Sequence, residues 1–192
     1  DETMHMLELA YENVNQAFGQ LLQFSDKTDE QIYKREDTVN YLDKVISEYI
    51  STALATPNLN VNISQALSSY YLMLVDIERI SDYAVNMNHQ ATKRLQGDMT
   101  ISEIEIVEHM KKLCVDMKND LDDVEEAERK DDVIDSLVSS WREAQIQALK
   151  QKKCSSEVSM MLSRIFTDFE RINDHALNVS QELDKITVEI PD

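Results

Sequence analysis

Glycine and proline are almost missing from this 192-residue chain, with two of each, so the turn residues that an extended sheet protein needs are not there. The same scarcity excludes a glycine-rich loop that cradles phosphate through its backbone N–H groups. The two cysteines, Cys114 and Cys154, lack the C-x-x-C spacing of a zinc or redox site. Cys114 falls on an apolar stripe and reads as a reduced core thiol in a cytosolic setting. Positive charge is scarce too. Lys and Arg total 19 against 37 Asp and Glu, a net charge of −18. No basic block exists to displace counterions from nucleic acid, and docking on anionic lipid is equally disfavoured. No run approaches the roughly 20 apolar residues of a membrane span, and no signal peptide is visible. Cations and basic protein surfaces are the natural partners of such a chain.

What the sequence does contain is helix. Apolar residues make up 42% of the chain and recur at helical spacing, which predicts an all-α fold. A first helix over 3–24 carries Leu7, Val14 and Leu21 with Ala10, Ala17 and Phe24. After a polar break, with Thr28 or Asp29 as cap, a second over 29–55 aligns Ile32, Val39, Ile46 and Ala53, with Leu42 and Tyr49 beside them. A third over 62–96 has the seam Ile63, Tyr70, Ile77, Ala84 and Ala91, alternating with Ala66, Met73, Ile80 and Met87. Gly97 closes it, and Thr100 with Glu103 opens the next helix as a capping box. A fourth helix over 101–127 carries Val107, Cys114 and Leu121. A fifth over 129–152 carries Ile134, Trp141 and Ala148 with Leu137 and Ala144. A sixth over 155–187 carries Leu162, Phe169, Ala176 and Leu183. The plan is two three-helix bundles in tandem, 1–97 and 98–192, each short-short-long. Pairing of the long helices would give one elongated six-helix domain.

One stretch occurs twice. Asp76-Ile77-Glu78-Arg79-Ile80-Ser81-Asp82-Tyr83-Ala84-Val85-Asn86 returns ninety-two residues later as Asp168-Phe169-Glu170-Arg171-Ile172-Asn173-Asp174-His175-Ala176-Leu177-Asn178, with seven of eleven positions identical. With Phe169 and Ile172 on the buried seam, Glu170 and Asp174 are neighbours one turn apart on an outer face, and Glu78 and Asp82 hold the same places. The second helix of each unit offers a matching pair around its apolar line: Glu36 and Asn40 about Val39, Asp131 and Asp135 about Ile134. If these helices pack side by side, each unit collects four oxygen-bearing side chains on an outer surface.

Like charges one turn apart repel, so two such pairs gain nothing in stability unless a cation joins them. Carboxylate-only ligation suits iron, Mg²⁺, Mn²⁺ or Ca²⁺. Arg79 and Arg171 are placed to pair with Asp76 and Asp168, three residues back, and so to orient the face. The competing account is a solvated acidic face whose repetition reflects an Arg–Asp brace and a tight crossing at Ala84 or Ala176. Other chemistry is poorly represented. Glu2-Thr3-Met4-His5 has the Glu-x-x-His spacing of di-iron bundles but no second copy. His5, His89, His109 and His175 do not cluster by spacing. No nucleophile setting is readable, and the chain reads as no enzyme.

The twin Asp-x-Glu-Arg-Ile-x-Asp-x-Ala-x-Asn stretches resemble the signature of the PhoU family, and the resemblance covers nearly the whole chain. It implies a tandem of three-helix units with metal clusters on surface Glu/Asp-x-x-x-Asp motifs. Those motifs fall on Glu78 and Asp82, Glu170 and Asp174, and Asp131 and Asp135, with Asp76, Arg79, Asn86, Asp168, Arg171 and Asn178 as supporting residues. The remaining motif departs, since Asn40, a neutral ligand, follows Glu36 where Asp is the family's choice. The resemblance implies regulation of phosphate transport without catalysis, in one of two settings. Stand-alone regulators typically carry a Pro-x-Ala-x-Asp-Leu-Arg run before the third helix, and Pro57-Asn58-Leu59-Asn60-Val61-Asn62 lacks it. The Tyr41-Leu42-Asp43-Lys44-Val45-Ile46 wording is similar to the cytoplasmic C-terminal region of bacterial Na⁺/phosphate cotransporter-like proteins, and a start without Met fits that setting. The favoured expectation is therefore a cytoplasmic regulatory domain at the inner face of the plasma membrane, partnered by a transporter membrane domain. The alternatives are a free phosphate-signalling regulator, with a signalling protein as partner, and a purely structural helical or homodimerisation module without metal.

Overall fold

A computed structural model describes residues 2–91 and 93–189, without the side chains of residues 93, 94 and 187–189. Its helices are α1 (Glu2–Leu22), α2 (Asp26–Leu54), α3 (Val61–Gln90), α4 (Lys93–Asp98), α5 (Ile101–Asn119), α6 (Val124–Lys150) and α7 (Ser156–Glu189). Among the described residues there is no strand.

The helix boundaries follow local hydrogen-bonding chemistry. Ser25, not Thr28 or Asp29, caps α2: its backbone is extended and its hydroxyl accepts from Thr28 N at 3.4 Å. Gln20 holds Ser25 in place, accepting from its N–H at 2.7 Å and donating to its carbonyl at 3.0 Å. Asn58, at φ 60, takes the left-handed turn between α2 and α3 that asparagine tolerates best after glycine. The long helix predicted to run to 96 ends instead at Gln90, where Ala91 turns extended, and the short α4 follows. Thr100 and Glu103 form both arms of the capping box, at 3.3 and 2.7 Å. The helix expected to reach 127 stops at Asn119. Asp123 accepts from Glu126 N at 3.1 Å and opens α6, because a short carboxylate serves a free helix N-terminus better than a helix interior.

Helices α3 and α7 form the most extensive contact in the molecule, and the long helices do pair as expected. α2 packs on α3, α6 packs on α7, and α1 touches α2, α3 and α5. The buried stripes of both halves merge into one core, with Phe18 edge-on to Phe169 at 6.3 Å between ring centroids. The stripes run out where helices outreach their neighbours. α2 and α3 have 29 and 30 residues against 21 for α1, an excess of about two turns. Tyr49 and Ile63, placed on the seam by periodicity, are accordingly 72% and 50% exposed. Ala144 on α6 is also exposed. Trp141 is half-buried and stacks on Phe166. No helix of the described residues is long and apolar enough to cross a membrane.

Candidate metal-binding ledges

Because α2 lies against α3, Glu36 and Glu78 come within electrostatic reach of each other and of Asp82, with Asn40 beside Glu36. Glu36 is not on the outer surface, however. It is buried and accepts a hydrogen bond from Ser81 Oγ. That hydroxyl ends a polar relay across the first unit. Arg35 Nη1 donates to Asn13 Oδ1 at 2.8 Å, and Asn13 Nδ2 donates to Ser81 Oγ at 3.1 Å. Burial raises the Glu36 carboxyl, the Ser81 and Asn40 hydrogen bonds lower it, and nearby Asp82 raises it. Asn40 is thus a neutral donor to Glu36, in the place where a second carboxylate would repel it. Glu78 is pushed up to about 7, first by burial and then by Asp82, with Asp43 and Glu36 adding and Arg79 opposing. Asp43 is a member of this ledge that periodicity did not single out. The signal available was its position one turn beyond Asn40 on the same face.

The second unit uses the same places differently. Asp131 is pushed up to about 6, chiefly by burial, then by Asp135, Asp174 and Asp132. Its Oδ1 is buried and has no hydrogen-bond partner. Asn173, the counterpart of Ser81, donates to Phe169 O at 2.7 Å and leaves its own buried Oδ1 unpartnered. Lys130, the counterpart of Arg35, is drawn away to Asp120 and to Asp116 O. Glu170 is bridged from α6 by Arg142 at 2.8 Å, which also donates to Thr167 Oγ1 at 3.0 Å and Ser163 O at 3.2 Å.

The arginine brace differs from the one expected. Arg79 and Arg171 reach forward, to Asp82 at 3.2 Å and Asp174 at 3.3 Å, rather than back to Asp76 and Asp168. Asp76 is taken by the other half of the molecule: His175 Nδ1 lies 2.7 Å away and Asn178 Nδ2 donates at 3.0 Å. Asp168 is half-buried and pushed up to about 6 by burial alone. Asn86 lies exposed near it, on the wall of the same groove. His89 meets Tyr33 and His109 meets Trp141 edge-on, so these histidines are dispersed and each has a partner. Cys114 is buried with its thiol pushed up to about 12, and Cys154 is half-buried; neither is in a disulfide.

Among the described residues no three His, Cys, Asp or Glu side chains are already gathered around one ion position. Arginines hold three of the carboxylates aside: Asp82, Asp174 and, from α6, Glu170. The Arg79 and Arg171 pairs are exposed, and breaking one costs up to about 1 kcal/mol. The donor set fits a hard or borderline cation all the same. It is all oxygen, it includes an orphaned buried carboxylate oxygen on Asp131, and burial, then neighbouring carboxylates, raises Glu78 and Asp131 within it. Asp131, Asp135, Glu170 and Asp174 would hold an ion in the second unit, and Glu36, Glu78, Asp82 and Asp43 in the first.

Known proteins share this fold. The model of the PhoU domain family matches residues 3–91 and 101–183. The phosphate-specific transport system accessory protein PhoU homolog 1 of Thermotoga maritima is 24% identical over 190 residues, covering 93% of this chain and 81% of that protein. The crystal structure of PhoU from Pseudomonas aeruginosa superposes with a TM-score of 0.86 at 18% identity, covering 98% of this chain and 95% of that one, a likeness of fold. With its tandem helical plan and a twin stretch falling once within each matched segment, the chain belongs to the PhoU domain family.

Proposed function

We propose that the chain regulates phosphate transport through protein contacts, and that cations bound at the two acidic ledges bias those contacts. The likeness along most of its length to an accessory protein of a phosphate-specific transport system supports a phosphate-signalling regulator over a cotransporter-attached domain. The observation that carries the metal part is the pairing of equivalent helices so that each ledge holds a carboxyl raised by burial and by its like-charged neighbours, Glu78 to about 7 and Asp131 to about 6. Carboxyls kept in that state are ready to exchange a proton for a metal ion. Each ion would be bound and oriented by side chains from two helices, so its loading would tie α2 to α3 and α6 to α7.

The test is complementation in a bacterial host whose own PhoU-type regulator is disrupted. The wild-type chain should restore repression of phosphate uptake at high phosphate, and the Glu170→Ala, Asp174→Ala double variant should not. Failure of the wild-type chain to restore repression, at verified expression, would count against the regulatory reading. Equal activity of the double variant would remove the metal from it.

A further inference from the structure

The two copies of the repeated stretch meet across the α3/α7 contact, which runs antiparallel: Asp76 lies beside His175, while Gln90 lies beside Arg164. An antiparallel pair of equivalent helices is related by a local two-fold, so each contact has a mirror contact ninety-two residues on. Asp76 with Asn178 therefore maps onto Asp168 with Asn86, and Asp76 with His175 maps onto Asp168 with Tyr83. The first arrangement is closed. Asp76 holds His175 at 2.7 Å and Asn178 at 3.0 Å. The second is open. Residue 83 is tyrosine, and its ring lies stacked on His175, with centroids 5.8 Å apart and planes at 25°. Asp168 has no hydrogen-bond or ion-pair partner among the described residues. It lines, with Asn86, a groove of about 510 Å³ between the C-terminal turns of α3 and the N-terminal half of α7.

The groups around that groove decide what fits. Asn86, Gln90 and Ser163 offer oxygen acceptors beside the Asp168 carboxylate. His89 stands on the rim, bonded to Tyr33 Oη at 3.1 Å. Arg164 is the one cation described among the lining groups, and it bonds across to Gln90 Oε1 at 3.3 Å rather than to Asp168 one turn away. A carboxylate flanked by amide and hydroxyl acceptors suits a planar, multiply donating guanidinium better than a compact ammonium. We infer that this groove is the vacant counterpart of the closed Asp76 arrangement and takes the arginine side chain of a partner protein, with Asp168 as its counter-ion. The net charge of −18 favours the approach of a basic partner. That the arginine belongs to a protein rests on the protein-contact reading above.

The experiment is an NMR titration of the ¹⁵N-labelled chain with capped Gly-Arg-Gly, with a chelator present so that metal loading plays no part. The Asn86 side-chain amide should move saturably, and capped Gly-Lys-Gly should bind at least threefold more weakly. Asp168→Asn should weaken binding at least tenfold. Tyr83→His should do the same, because an imidazole placed as His175 is placed would close the groove from within. An unmoved Asn86 amide, or equal binding by Asp168→Asn, would overturn the assignment. So would undiminished binding by Tyr83→His. If the wild-type chain binds nothing while Arg164→Gln binds, Asp168 belongs to Arg164 in solution and the proposal falls.

Discussion

The two ledges use one sequence pattern to opposite ends. In the first unit a hydroxyl at position 81 completes a relay from Arg35 through Asn13 to Glu36, and Asn40 adds a second donor. In the second unit asparagine stands at 173, the basic residue is diverted to the α5–α6 turn, and Asp131 keeps a buried oxygen without a donor. Protein donors thus satisfy the buried carboxylate of the first ledge, Glu36, and leave Asp131 of the second with an oxygen that no protein donor reaches. A duplicated motif need not have duplicated occupancy. Residues one turn from the motif decide it.

The strongest way to break this contrast is to remove carboxylates. Glu170→Ala with Asp174→Ala should lower Mn²⁺ affinity at the tighter site at least about a hundredfold by calorimetry, about 2.7 kcal/mol by the usual conversion. Glu78→Ala with Asp82→Ala should affect only the weaker phase. Next in size is the relay. Ser81→Ala strands a buried carboxyl and the Asn13 amide, at a cost of about 2 kcal/mol. For a chain of this length that is a fall in Tm of roughly 5 °C, readable by calorimetric scan. Asn173→Ala, whose removal takes away an oxygen already unpartnered, should cost clearly less.

Asn40→Asp should sharpen the comparison by erasing it. The added carboxylate would raise Mn²⁺ affinity of the first ledge about tenfold, within the range by which ligand charge tunes such sites. Without metal the same variant should melt earlier, because Glu36 loses a donor and gains a like charge.

The smallest effect is on pH dependence. Glu78 and Asp131 are raised to about 7 and about 6 from ordinary values of 4.5 and 3.8, so the folded chain binds protons that the unfolded chain has released. Stability of the metal-free chain should therefore rise as pH is lowered from 8 towards 5.5 and fall as pH is raised through that window. The Mn²⁺ affinity should run the other way, since protons and metal compete for the same oxygens. The pair of scans, with and without Mn²⁺, checks both signs.

Much of this was legible in the sequence because helices announce themselves by period. The stripes, the capping box at Thr100 and the contact of the two long helices all follow from spacing and from the repeat. What helical period does not carry depends on partners distant in sequence. Glu36 looked surface-facing because its own helix leaves it at the stripe's edge; Ser81, on another helix, draws it inward. The direction of Arg79 and Arg171 was undetermined between carboxylates three residues before and three after. Asp76 is claimed by His175 across the α3/α7 contact, which turns Arg79 forward to Asp82, while Arg171 takes the equivalent forward partner Asp174 although Asp168 is left open. The break at Asn119 lay hidden in a charge run whose Asp123 is visible as a cap only once the helix end is known.

The most direct test is a crystal of the chain grown with Mn²⁺ and examined by anomalous scattering. The account predicts a peak among Asp131, Asp135, Glu170 and Asp174, with Arg171 released from Asp174, and a weaker peak or none beside Glu78 and Asp82. Bare carboxylates in both units at millimolar Mn²⁺, with both arginine pairs intact, would contradict it.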